Sequence, residues 1–113
     1  MAGPCRYPKA VRIRQRRDFL RLQRLGSRSH TRHLVVIQRA SDGPVSRLGV
    51  TASKRVGNAV VRNRIKRIVR EVFRNFRADL QQPIDVVIIA KVYANRLTYA
   101  KAATELRAVL RLT

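Results

Sequence analysis

An α+β fold, a two-layer sandwich of one sheet and its helices, is what this sequence predicts. Three features carry that reading. Apolar periods of helix and strand follow one another in the order helix, strands, helix, strand, helix. One segment, Val61–Phe76, keeps a clean helical period throughout. Another, Ile84–Lys91, is nearly continuously apolar, as a central strand covered on both faces must be. With 113 residues, 45% of them apolar, the chain can bury one core and fits one domain.

The elements follow in order. Residues 1–14 hold Pro4, Pro8 and several basic side chains with no sustained period, and read as a mobile basic N-terminal arm ahead of a single domain over residues 15–113. Arg16–Leu25 is a short helix with Phe19 and Leu22 on one side, stopped by Gly26 as a C′ residue. Ser27–Arg32 is polar, with room for a very short strand. Leu34–Arg39 is β-branched and short, and Arg47–Ser53 is a second strand. The Asp42-Gly43-Pro44 turn between those two predicts an antiparallel hairpin. Asn58 caps a long helix running to about Arg77. At about 100° per residue, Val61, Ile65, Ile68, Val69, Val72, Phe73 and Phe76 fall within an arc of about 140°. Asn63, Lys66, Arg67, Arg70, Arg74 and Arg77 take the opposite face, and Arg62 lies nearer the apolar border. Pro83 blocks continuation, the apolar strand follows, and Thr98 opens a last helix with Tyr99, Ala103, Leu106 and Leu110 on its apolar side.

Charge is the dominant global feature. Lys and Arg number 26 against 6 acids, a formal net charge of +20. A chain that combines a core with such an excess needs a polyanion as counterpart. Arginine strongly outnumbers lysine, and its planar fork suits phosphate and base contacts. Cys5 is the only cysteine, which removes disulfide frameworks and thiolate zinc cages. No apolar run approaches the ~20 residues of a membrane span. The start of the chain has no apolar signal region, so an intracellular protein is expected.

No catalytic constellation is apparent. Asp18, Asp42, Glu71, Asp79, Asp85 and Glu105 are scattered, with no pair at i, i+2 or i, i+4. A metal-dependent nuclease would need two or more carboxylates around its cations. Glu71 reads as an intrahelical partner of a neighbouring Arg, and Asp85 as a partner for an Arg close in space. His30 and His33 have no Cys or acid near them in sequence to complete a zinc site. Neither GxxxxGK[ST] nor GxGxxG occurs, and Gly57 reads as the turn from strand to helix.

The strong cluster is basic. The run from Ser53 to Arg70 carries Lys54, Arg55, Arg62, Arg64, Lys66, Arg67 and Arg70 around a helix start, whose free N–H groups also favour phosphate. A solvated helix face normally mixes Glu with Lys, and this one has only Glu71. A membrane-surface helix is disfavoured because the apolar stripe is needed by the core and carries no Trp. A DNA regulator is disfavoured because no helix-turn-helix spacing is present. Nucleic acid is the polyanion expected.

The run S-K-R-V-G-N-A-V-V-R-N-R-I-K-R-I-V-R resembles the signature of the bacterial ribonuclease P protein component, with Arg62-Asn63-Arg64 followed by Ile65-Lys66-Arg67. Arg17-Asp18-Phe19, Leu48-Gly49-Val50, Asp85–Ala90 and Leu97-Thr98-Tyr99 match in the same order, so the resemblance covers nearly the whole chain. It implies an α-β-β-β-α-β-α sandwich with a left-handed β-α-β crossover through the long basic helix, contrary to the usual hand. It implies the protein subunit of an endoribonuclease that matures the 5′ end of precursor tRNA. The active site and most of the Mg²⁺ would lie on a catalytic RNA subunit, with no catalytic residue in this chain. Lys54, Arg55, Asn58, Arg62, Asn63, Arg64, Lys66, Arg67 and Arg70 would bind the RNA subunit. Phe19 would line a cleft for the precursor's 5′ leader. Other members carry further aromatics there, where this chain has Gln23 and Ile37, so Ile37, Arg32 and Arg39 complete the leader set. The partners implied are the catalytic RNA and precursor tRNA, with no membrane or DNA, for a cytoplasmic protein monomeric when free. A structural RNA-binding protein, such as a ribosomal component, is the alternative.

Overall fold

The computed structural model describes residues 12–13 and 16–110. Its elements are α1 (Arg16–Leu25), β1 (Ser27–His30), β2 (Leu34–Ala40), β3 (Arg47–Thr51), α2 (Ala59–Phe76), β4 (Ile84–Ala90) and α3 (Tyr99–Val109), with single 3-10 turns at Arg77–Asp79 and Val92–Arg96. The expected order α-β-β-β-α-β-α is present.

Strand pairing departs from the expected hairpin. The sheet order is β1-β2-β4-β3, so β4 lies between β2 and β3. β2 runs antiparallel to β1 and β4, from Leu34 opposite Ala90 to Ala40 opposite Ile84. β3 runs parallel to β4, with Leu48 opposite Val86. The reason lies in the strands themselves. Val86, Val87 and Ile88 are fully buried, so β4 has apolar side chains for both faces and a neighbour on each edge. The polar SRSH strand takes one edge, where its unpaired side meets water. The Asp42-Gly43 segment therefore steps across β4 instead of closing a tight turn. Ser41 N–H donates to Pro83 O at 2.9 Å, and Ile84 N–H donates to Ser46 Oγ at 2.9 Å, tying that connection beneath the start of β4.

Alternation along the strands separates two cores. Leu34, Val36, Leu48, Val86 and Ile88 meet Ile65, Val69, Val72, Phe73 and Phe76 of α2 and Ala102 and Leu106 of α3. Burying a side chain such as Phe73 contributes about 1.5–3 kcal/mol. Val35, Ile37 and Val87 face the other way, toward Ile13, Leu22 and Phe19. α1 thus covers part of the second face.

Residues 1–11 and 14 of the expected mobile arm lie outside the described residues. Arg12 and Ile13 are not arm: Arg12 bridges Leu48 in parallel, and Ile13 is 5% exposed and donates its N–H to Leu48 O at 2.9 Å. An isoleucine with an apolar surface in reach is drawn onto it. Gly26 ends α1 by its size and not by a left-handed backbone, since no described glycine has positive φ. A Cβ there would lie 2.7 Å from Leu22 O and 2.8 Å from Ile37 Cγ2, so only glycine lets the end of α1 press onto β2.

Candidate nucleic-acid interface

The start of α2 is built to present charge. Val56 is buried and donates its N–H to Ser53 O at 3.0 Å, which closes the turn and leaves Lys54 and Arg55 exposed. Gly57 follows because a Cβ would lie 2.9 Å from Val61 Cβ. Asn58 caps the helix as expected: its Oδ1 accepts from Val61 N–H at 3.0 Å. No acid occupies the first turn, so nothing local offsets the positive end of the helix dipole.

From this start, Asn63 and Arg67 are exposed and Arg62, Lys66 and Arg70 half-buried along one side of α2. Together with Lys54, Arg55 and Asn58 they form one basic surface. The buried Arg62 Nε has no hydrogen-bond partner among the described residues. Arg64 is placed differently. Its Nη1 donates to Leu97 O at 2.8 Å and its Nη2 to Asn95 O at 2.5 Å, so its fork ties α2 to the turn before α3. Glu71 pairs with Arg74 at 2.7 Å, as the spacing predicts.

The four expected leader residues are not brought together. Phe19 of α1 is half-buried over β3, where Gly49 makes room: a Cβ at Gly49 would lie 2.7 Å from Phe19 Cζ. Arg39 lies on the same side of the sheet, half-buried beside Asp42, Arg47 and Asp85. Ile37 is 0% exposed beneath α1 and cannot touch a ligand. Its pairing level in β2 puts it under the crossing helix, and an apolar β-branched side chain there serves the core. Arg32 sits in the β1–β2 turn and faces α3, lining a cavity with Tyr93 and Lys101. Beyond α1, the second face of the sheet ends in the half-buried Ile89 and Lys91 and the exposed Thr51 and His30. Arg47 holds the helix to that face. Its Nε and Nη2 donate to Asp85 at 3.1 and 2.8 Å, and Nη1 lies 3.7 Å from Asp18 at the start of α1. The hydrogen bond to Asp85 raises the guanidinium pKa despite partial burial.

The chain matches the Ribonuclease P family over residues 7–113. Curated relatives include the ribonuclease P protein components of Syntrophus aciditrophicus, 42% identical over 90% of this chain and 86% of that one, and of Desulforapulum autotrophicum, 43% identical over 92% and 89%. Among solved structures, the Staphylococcus aureus RNase P protein superposes with a TM-score of 0.80 at 34% identity, covering 89% of this chain and 93% of that one. The Thermotoga maritima RNase P protein gives 0.78 at 31%, covering 88% and 94%. The chain belongs to the ribonuclease P protein component family.

For a ribonuclease P protein, the placement of the carboxylates is informative. Asp18 and Asp85 close on Arg47, Asp42 lies 3.3 Å from Arg21, Glu71 is held by Arg74 and Glu105 by His33. Asp79 also has a partner. No group of three or more His, Cys, Asp or Glu among the described residues could hold a metal ion, and no described helix is long and apolar enough to cross a membrane.

One polar constellation of this ribonuclease P protein was invisible in the sequence. His33 has no acid near it in sequence, yet its Nδ1 lies 2.6 Å from Glu105 Oε2. Glu105 Oε1 also accepts from Thr31 Oγ1–H at 2.6 Å and from His33 N–H at 2.8 Å. Burial would raise the Glu105 pKa, but these hydrogen bonds outweigh it and hold the carboxyl below its ordinary value. The partners are 72 residues apart, and no local period announces such a pair.

Proposed function

We propose that this chain acts as an RNA-binding subunit of ribonuclease P, in which a catalytic RNA performs the cleavage that matures the 5′ end of tRNA. The observation that carries the proposal is the basic side of α2 with its capped, acid-free start, in a chain of this family. Each Lys or Arg that replaces counterions on a phosphate adds sequence-independent affinity. Lys54, Arg55, Asn58, Arg62, Asn63, Lys66, Arg67 and Arg70 contact the RNA subunit. Arg64 of the same motif acts mainly as the strut that holds the turn before α3.

The precursor's leader runs through the cleft beside α1, on the side of the sheet away from α2. Phe19 offers one stacking surface, and Arg39 an adjacent charge. With Phe19 the one aromatic on that side of the sheet among the described residues, charge carries more of the leader affinity here than stacking does. Mg²⁺ supplies the Lewis acid and activated water of hydrolysis from sites on the RNA. The free protein is a monomer that works in the cytoplasm.

The test is reconstitution. The purified protein alone is expected to leave precursor tRNA intact, and to restore cleavage at low Mg²⁺ when mixed with the RNA subunit. Robust cleavage by protein alone, or no stimulation of the RNA, would overturn the proposal.

A further inference from the structure

The cavity between the β1–β2 turn and α3 lies outside both RNA surfaces described above. It measures about 850 Å³ and opens to solvent, within the range of about 300–1,000 Å³ typical of small-ligand sites. Its walls combine two kinds of group. Tyr93 is 57% exposed, although a tyrosine of a single 3-10 turn gains by burial wherever the fold permits. Around it stand Arg32, Arg96 and Lys101, none of which forms an ion pair with a described residue. The one acid in the wall, Glu105, turns its oxygens inward to Thr31 and His33 and forms no ion pair with these cations.

The floor is rigid. His33 and Glu105 have side chains only 8% and 13% exposed, 2.6 Å apart. His33 meets Tyr93 edge-on at 6.3 Å between ring centroids. Lys91 Nζ donates to Thr31 O at 2.5 Å, so the turn that carries Arg32 is held from two sides. A π-face on a fixed floor, ringed by unpaired cations, suits an unpaired nucleotide: the base stacks on the ring and the flanking phosphates meet the cations.

We infer that this cavity is a third RNA contact, binding one unpaired nucleotide of single-stranded RNA by stacking on Tyr93 and by phosphate contacts to Arg32, Arg96 and Lys101. The inference goes beyond the proposed function and rests on its premise that the chain binds RNA. Because the cavity faces α3 and the leader cleft faces α1, a strand seated here is a different segment from one lying over Phe19.

The full chain, labelled with ¹⁵N, would be titrated with hexauridylate while backbone amides are followed by NMR. Saturable shifts are expected at residues 93, 96 and 101, besides those on α2. They should persist in the double variant Asn63→Ala, Arg67→Ala, whose exposed changes weaken the α2 surface and leave the fold intact. Tyr93→Phe should keep the affinity at this site within about threefold. Tyr93→Ala should weaken it about 5- to 150-fold, the equivalent of about 1–3 kcal/mol of stacking. Uridine monophosphate and an abasic hexanucleotide should each bind there at least tenfold more weakly than hexauridylate. Shifts confined to α2 and the α1 cleft, or a Tyr93→Ala variant that binds like the parent, would overturn the inference while sparing the proposed function. Equal binding of uridine monophosphate would overturn it in favour of a free-nucleotide site, and equal binding of the abasic strand would remove the stacking. Absence of shifts anywhere would overturn the RNA-binding premise itself.

Discussion

Replacing Glu105 by alanine removes three hydrogen bonds at once, from Thr31 Oγ1–H, His33 N–H and the His33 ring. A hydrogen bond to a charged group contributes about 1.5–3 kcal/mol, and such values do not add within one network. The variant also strands the His33 N–H and ring in a site that is 8% exposed, for which the penalty per unsatisfied group is about 1–3 kcal/mol. A loss of about 3–5 kcal/mol is therefore expected, a large part of the about 5–15 kcal/mol of a typical domain. For a chain of this size, about 3–6 °C of Tm accompanies each kcal/mol, so the melt should fall by about 10–25 °C at pH 7. The pH dependence has a definite sign. Because folding holds the Glu105 carboxyl below its ordinary value, its stabilisation is complete above the unfolded-state pKa of about 4.3 and fades as pH falls through the folded value. Thermal unfolding by circular dichroism between pH 3 and pH 7 should show the gap between variant and parent narrowing toward the acid end. A Tm loss under about 3 °C at pH 7, or parallel curves across the series, would refute the reasoning.

Two contrasts test the interface. Arg67→Ala should leave stability within about 0.5 kcal/mol and lower the log–log salt slope for RNA-subunit binding by about 0.7–0.9; an unchanged slope would exclude a phosphate contact. Arg64→Ala should instead cost about 1.5–3 kcal/mol of stability, and Arg64→Lys should not recover it, because an ammonium cannot span both Leu97 O and Asn95 O. On the other face, Phe19→Ala should raise KM for leader-bearing precursor by up to the about 1–3 kcal/mol of one stacked base while RNA-subunit affinity stays constant. Equal losses in both would make Phe19 a packing residue only. Gly49→Ala drives a methyl to within 2.7 Å of the Phe19 ring and should cost about 1–3 kcal/mol; a variant as stable as the parent would contradict that packing.

Much of this molecule was legible in the chain because it depends on neighbours in sequence. The apolar arc from Val61 to Phe76, the Asn58 and Thr98 caps and the two-faced β4 are local patterns, and each element formed where its pattern lies. The family resemblance rests on the same local runs. Tertiary structure decided what depends on distant partners. β2 and β3 are separated by β4 because a strand apolar on both faces takes the interior position, whatever turn joins its neighbours. Arg64 and Arg67 belong to one basic run, yet only the turn before α3, packed against α2, makes one a strut and leaves the other exposed. Ile37 became core because α1 crosses above it, and His33 found Glu105 because α3 passes the β1–β2 turn. Periodicity specifies which face of an element is buried, and hence where charge must gather. It carries no information on which remote backbone or side chain arrives to meet a given group, since that is settled only when the apolar faces close on one another.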